Sequence, residues 1–227
     1  MNGRRVAVIF ALALPASGAL LVASAGRALE PAPVALAQAP AAKPARPAAP
    51  KAAKPAAPAE APVPPGTEAV VETPKGSFTI RLLPEIAPRH CALFVKTAKA
   101  GGYDGTTFHR VITGGIIQGG DPLTKDPAKS ALYGTGGLGL LKAEISDRPF
   151  VRGTVAAVRR PSSPDTSGVQ FFVVMREQPS MKGQYTIFGE VVSGMEVVDQ
   201  ISAIPADGDK AKERVEMRVT VREKAPE

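Results

Sequence analysis

Residues 103–121, reading YDGTTFHRVITGGIIQGGD, set an arginine, Arg110, and a glutamine, Gln118, into two short apolar, glycine-rich runs at 108–112 and 116–119. A charge or an amide among apolar neighbours is costly unless it is paired, so a charge kept there calls for a reason. Arginine stays protonated and presents a planar fork of donors that a partner such as Gln118 can hold. The chemistry open to a cation held in this way is hydrogen-bond donation from a fixed position.

The other reactive side chains do not assemble into a competing set. The two histidines, His90 and His109, have no further ligands at a metal-site spacing, so neither a metal nor a cofactor is expected. The single cysteine, Cys91, falls on the apolar stripe of a predicted helix, with nothing to suggest a base or cation lowering its pKa, and reads as a small buried residue. Gly134-Thr135-Gly136-Gly137 lacks the Lys-Ser/Thr pair and the strand-to-helix setting of a phosphate cradle, and reads as a flexible turn. His109 alternates with Arg110, which predicts a structural, hydrogen-bonded histidine on the opposite face.

Positioning Arg110 and Gln118 requires a sheet, and the chain supplies one. Phe78, Ile80 and Leu82 alternate with Ser77, Thr79 and Arg81, the period of a strand with one buried face, and Thr73-Pro74-Lys75-Gly76 joins it to 69–71 as a hairpin. Residues 154–158, 169–175, 185–192 and 215–221 predict further strands, while 123–133 reads as a surface insertion. Two helices are predicted. Residues 84–100 place Ala87, Cys91, Phe94, Val95 and Ala98 on one face and stop at Gly101-Gly102. Residues 195–204 follow Ser193 and Glu196 at capping-box spacing. Many short strands with two helices far apart in sequence argue against a parallel sheet and for a mainly β, antiparallel barrel capped by helices.

The sheet-forming part begins after a long leader. Residues 1–25 carry Arg4 and Arg5, an apolar run at 6–23 and an Ala23-Ser24-Ala25 site, and read as a secretory signal peptide or, if uncleaved, as an N-terminal anchor. Residues 26–66 are Ala/Pro-rich with scattered lysines and read as a disordered spacer, whose reach at about 3.1 Å per residue is on the order of 120 Å. The formal charge of +7 is concentrated there, seven Lys/Arg against two Asp/Glu in 1–66, so nucleic-acid binding by the folded part is not expected. A folded domain at 67–223 and a tail at 224–227 complete the chain.

YDGTTFHRVITGGIIQGGDP, followed by GTGG at 134–137, GVQFFVV at 168–174 and GQYTIFGEVVSGMEVVDQI at 183–201, resembles the cyclophilin-type peptidyl-prolyl cis-trans isomerases, bacterial exported members in particular. The resemblance spans 67–222 with several motifs in register. It implies a closed eight-stranded antiparallel barrel with two α-helices and a peptide groove on its outer face. Carried over by position, it implies that Arg110 is the catalytic arginine, oriented by Gln118. Ile116 and Phe172 would wall the proline pocket, with Gln170, Met181, Tyr185 and Arg160 as further substrate-binding positions. Phe171, pointing the other way from Phe172, is expected in the core. The chain departs from the family pattern at Thr113-Gly114-Gly115, where Pro-Gly-Phe is usual, at Arg159 and Arg160, and at Ser180. An aromatic wall is therefore missing at Gly115, and weaker binding or altered substrate preference is expected, with turnover retained.

The activity this implies has a simple physical basis. Rotation about an X-Pro bond breaks amide resonance and meets a barrier of about 18–20 kcal/mol. In the twisted state the proline nitrogen becomes pyramidal and exposes a lone pair that a fixed guanidinium can bond, far more than in the planar amide. Shortening tens of seconds to about a millisecond takes roughly 6 kcal/mol. One donor in a dry site supplies roughly 3–4 kcal/mol, so apolar holding must supply the rest. The expected partners are proline-containing polypeptides among exported proteins, in the periplasm or cell envelope. A monomer is expected, touching membrane only through an uncleaved leader. Two alternatives are a peptide-binding chaperone with little turnover and an envelope-tethered interaction module.

Overall fold

A computed structural model describes residues 62–163 and 167–222. The leader 1–25, the linker as far as 61 and residues 223–227, which include the tail 224–227, lie outside the described residues. Among the described residues no helix is long and apolar enough to cross a membrane.

Eight strands make the barrel: β1 (Glu68–Thr73), β2 (Gly76–Leu82), β3 (Thr106–Ile112), β4 (Ile116–Gly119), β5 (Thr154–Ala157), β6 (Phe171–Val174), β7 (Ile187–Ser193) and β10 (Glu216–Arg222). They run antiparallel in the order β10-β1-β2-β7-β5-β6-β4-β3, and β10 pairs with β3 through Glu216↔Thr107 and Met217↔Thr106 to close the sheet. The two-residue strands β8 (Ala206–Asp207) and β9 (Lys210–Ala211) form a small hairpin on the outer side of β3, through Arg110↔Lys210. The expected β1–β2 hairpin is present, and the other strands fall where alternation puts them, to within a residue or two at each end. Val63, inside the expected linker, already packs on the interior cluster, so folded structure begins slightly before residue 67.

Alternation sorts the apolar residues into two clusters, one on each face of the same sheet. Phe78, Ile80, Phe108, Val111, Ile117, Val155, Phe171 and Val173 fill the interior. Ile116, Ala156, Phe172, Val174 and Ile187 face outward and are covered by Leu83 and Phe150. The exterior cluster carries the expected groove.

Helix α1 (Pro88–Lys99) packs Cys91, Phe94 and Ala98 on the interior cluster, as its stripe predicts, but starts later than residue 84. Pro88 occupies its first turn, and a residue before proline is driven out of the helical region; Ala87 accordingly sits at φ −142°, ψ 61°. The helix ends at Gly101, φ 66°, with the Gly102 N–H bonded to the Thr97 carbonyl at 2.8 Å. Helix α2 (Met195–Ser202) lacks the expected capping box: Ser193 ends β7, and Gly194 at φ 80° is the N-cap, with no side-chain cap. A Cβ on Gly194 would lie 2.5 Å from the Ser77 carbonyl oxygen, so the strand-to-helix corner runs too close over β2 for a serine-type cap.

The free N–H groups at the start of α1 are satisfied from a distant loop. The Glu144 carboxylate accepts from the backbone of Arg89 (3.2 Å) and His90 (3.0 Å), and from the side chains at Arg89 Nε (3.1 Å) and His90 Nδ1 (2.5 Å). Burial pushes the His90 imidazole below its ordinary range; its Nε2 is buried without a partner among the described residues, so protonation would strand an N–H. Burial opposes ionisation of Glu144, but the hydrogen bonds from His90 and Arg89 outweigh it and hold the carboxyl low. Both groups bind fewer protons folded than unfolded, so their contribution is complete above about pH 6.5. It is lost as pH falls, first as unfolded His90 protonates and then as Glu144 does. The urea midpoint is expected to drop between about pH 7.5 and 5. Glu144→Gln should lower the midpoint at neutral pH and leave that slope as steep or steeper, because the carboxylate is what raises the folded His90 pKa against burial; a midpoint indifferent to pH would contradict the assignment.

Candidate active site

A single register row assembles the candidate residues. Arg110 on β3 pairs with Gln118 on β4, Gln118 with Phe172 on β6, and Phe172 with Ala156 on β5. The β3–β4 hairpin turns through Thr113-Gly114-Gly115, with Gly114 at φ 65° and the Gly115 N–H closing onto the Ile112 carbonyl at 2.8 Å.

Strict alternation fails at His109. Pairing jumps from Phe108↔Gly119 to Arg110↔Gln118, leaving His109 as an extra residue on β3. Such a bulge re-aims the side chains beside it. Phe108 and Val111 both enter the interior, while His109 and Arg110 both line a cavity on the outer face. The predicted inward, hydrogen-bonded histidine is thereby corrected. His109 is 9% exposed and stands edge-on to Tyr133 with ring centroids 6.2 Å apart. Neither ring nitrogen has a hydrogen-bond partner among the described residues. Burial lowers its pKa, outweighing the nearby charge of Asp121.

Arg110 is held from two sides. Its Nε donates to Asp209 Oδ2 at 2.6 Å and its Nη1 to Gln118 Oε1 at 3.3 Å, while Nη2 has no acceptor among the described residues. The hydrogen bond from Arg110 holds the Asp209 carboxyl below the usual carboxylate range. Gln118 passes the constraint on: its Nε2 donates to Gln170 Oε1 (3.1 Å), and Gln170 Nε2 donates to the Gly136 carbonyl (2.6 Å). Gln170 is 0% exposed, so it steadies Gln118 and offers no face to a ligand. The Asp121 carboxylate accepts from the N–H groups of Gly134 (2.6 Å) and Gly136 (3.2 Å). The glycine-rich turn expected to be flexible is instead a bonded buttress at the end of this chain.

Beside the polar chain lies the apolar half. Phe172 (3% exposed) and Ile116 (5%) share the exterior cluster with the half-buried Met181 and Tyr185. Tyr185 meets Phe172 edge-to-face at 5.3 Å, and Phe150 stacks on Phe172 at 6.4 Å. The Arg159 guanidinium lies 4.8 Å above the Tyr185 ring while its Nε bonds the Gln184 carbonyl at 2.8 Å. Arg160 is exposed on the loop after β5, near Gly139 and outside this cluster. The structure thus brings together Arg110, Gln118, Gln170, Ile116, Phe172, Met181 and Tyr185, and not Arg160.

Asp209 was not singled out from the sequence. It lies 99 residues from Arg110, in the β8–β9 turn beside Gly208 at φ 61°. The one local signal was an Asp-Gly-Asp turn between the second helix and the last strand.

At Gly115 the missing side chain has a visible neighbour. A Cβ there would lie 2.9 Å from Ile112 Cγ2, a half-exposed side chain able to rotate away. Gly115→Phe is therefore expected to fold and to tighten binding of an Ala-Pro peptide by roughly 5- to 100-fold, the equivalent of about 1–3 kcal/mol of apolar burial. Titration would read this directly, and unchanged affinity would show that a ring at this position does not reach the peptide.

Comparison with known proteins identifies the family. The family model described as cyclophilin type peptidyl-prolyl cis-trans isomerase/CLD matches residues 69–223. A probable peptidyl-prolyl cis-trans isomerase of Brucella suis biovar 1 is 40% identical over 142 residues, 60% of this chain and 72% of that protein. The peptidyl-prolyl cis-trans isomerase-like 1 protein of Neurospora crassa is 38% identical over 143 residues, 62% of this chain and 84% of that protein. Among solved structures, a cyclophilin type isomerase of Cryptosporidium parvum, crystallised in the presence of the dipeptide Ala-Pro, aligns with a TM-score of 0.61 and 26% identity. It covers 69% of this chain and 99% of its own. With a family match over the whole barrel, a closed antiparallel sheet and an arginine fixed beside an apolar cluster on its outer face, the chain belongs to the cyclophilin-type peptidyl-prolyl cis-trans isomerases.

Proposed function

We propose that this isomerase acts on X-Pro bonds of exported proteins and speeds their folding, with Arg110 stabilising the twisted amide. The reading is carried by one observation: the Arg110 guanidinium is tied at Nε and Nη1 to Asp209 and Gln118, with Nη2 uncommitted, next to the Phe172 cluster. A proline ring against Phe172, Ile116, Met181 and Tyr185 brings its nitrogen toward the free N–H groups. The donors are oriented before the bond twists, so no reorganisation is needed as the lone pair appears. The apolar cluster excludes water, which strengthens that bond and holds the ring while the preceding carbonyl rotates. The proline-containing substrate class is supported by the Ala-Pro dipeptide present with the Cryptosporidium parvum relative.

Export is supported by the basic, apolar and small-residue parts of 1–25, and an extended 26–66 would let the barrel work at a distance from its point of attachment. Expression with the native leader, followed by cell fractionation and N-terminal sequencing, tests this: mature protein outside the cytoplasm supports it, and an intact cytoplasmic chain sinks it. A peptide-binding chaperone is the second reading, favoured by the missing aromatic at Gly115 and the near-complete burial of Phe172. Peptide exchange spectroscopy separates the two, since a chaperone binds an Ala-Pro peptide without accelerating its isomerisation.

A further inference from the structure

Because the bulge places His109 and Arg110 on one face of β3, that strand, the turns at 127–134 and the stretch 209–214 enclose a cavity of about 490 Å³ directly beside the Arg110 guanidinium. Its volume lies in the range of side-chain and small-ligand pockets, about 300–1,000 Å³. The Phe172 cluster is on the other side of Arg110 and Gln118 and contributes no wall to it.

The charges around this cavity do not cancel. Of its two carboxylates, Asp209 is committed to Arg110 at 2.6 Å and Glu213 to Lys75 at 2.6 Å. Arg214 is paired outside the cavity with Glu216 at 2.7 Å. Lys210 and Lys212 remain, both exposed and lining the cavity, with no ion-pair partner among the described residues. His109 at the base adds no charge near neutrality, since burial keeps it unprotonated. An extended peptide advances about 3.3 Å per residue, so residues within about three positions of a proline held at Phe172 have the reach to enter this space.

Resting on the assignment of Arg110 and the Phe172 cluster as the isomerase site, we propose that the cavity is a second substrate subsite, which takes the carboxylate side chain of an acidic residue flanking the proline and pairs it with Lys210 and Lys212. The enzyme then selects its substrates by charge as well as by proline. The lysines stand at the rim, so the selection is screened by salt.

The test uses peptides with a single Ala-Pro bond and either Glu or Gln at each position up to about three residues before and after it. Exchange rate and affinity are measured on the same samples. Wild type is expected to prefer Glu over Gln by about 3- to 10-fold at one such position, as for a pair of exposed ion pairs. The Lys210→Ser/Lys212→Ser double variant should bring that ratio near unity, and so should about 0.5 M salt. Each ratio is taken within one protein, so a general loss of activity cancels. A ratio near unity at every position, or a preference unchanged in the double variant, overturns the proposal. A charge preference in affinity without turnover would retain the subsite and reject the isomerase reading, and turnover without charge preference would do the reverse.

Discussion

Arg110→Ala is expected to lower kcat/KM on an Ala-Pro peptide by about 100- to 1,000-fold, the usual loss when one preorganised donor is removed from a dry site, with peptide affinity changed only a few-fold. On the proposed mechanism, the asymmetry follows from what the arginine would contact. The ground-state amide nitrogen has its lone pair in resonance and offers little to a donor, so deleting the guanidinium costs the twisted state and spares the planar one. The Arg110–Asp209 pair is half-exposed and worth no more than about 1 kcal/mol to stability, so the urea midpoint should scarcely move. Arg110→Lys keeps the charge but has no fork to span Asp209 and Gln118, and should rescue little. Asp209→Asn should fall between, losing about 5- to 30-fold in kcat with KM nearly unchanged, because the guanidinium survives but loses its charged anchor. Exchange spectroscopy on the four proteins reads the order. Equal rates for wild type and Arg110→Ala would remove catalysis from this residue and leave a binding module.

The residues that sequence reasoning could find are those whose cause is local. The strand at Phe78, Ile80 and Leu82 shows its buried face through alternation alone, and all three are buried in the interior cluster. Arg110 and Gln118 stood out as polar groups in apolar runs, and register places them side by side. The late start of α1 was missed, with the helix expected from residue 84, although its cause is local: Pro88 excludes the residue before it from the helix. What escaped was non-local or unmarked. Glu144 caps α1 from 54 residues away, and Asp209 anchors Arg110 from 99, distances across which a single sequence carries no pairing signal. The bulge at His109 has no glycine to announce it, yet it decides that His109 lines the same cavity as Arg110. Gln170 was placed by family resemblance alone; its buried link between Gln118 and Gly136 is visible only once β4 and β6 are paired.

Phe171 and Phe172, neighbours on β6, should respond to alanine in different currencies. Phe171 points inward, is 0% exposed, and sits among Phe94, Tyr103 and Phe108 with ring centroids at 5.8, 5.9 and 6.1 Å, each edge-on. Truncation there removes a full aromatic payload and leaves a hole that three fixed rings on α1, β3 and the connection between them cannot close. The expected cost is about 3–5 kcal/mol, a large part of the roughly 5–15 kcal/mol that holds a domain together. Phe172 points outward into the thinner cluster, where Tyr185 and Met181 are only half-buried and the loops carrying them can settle inward. Its truncation should cost less stability and far more peptide affinity if, as proposed, the vacated space is the wall against which the proline ring packs. Urea denaturation and peptide titration on the two variants give four numbers. Phe171→Ala should show the larger fall in midpoint with near-normal affinity in its folded fraction, and Phe172→Ala the larger fall in affinity. The reverse pattern would mean that the two faces of β6 have been assigned the wrong way round.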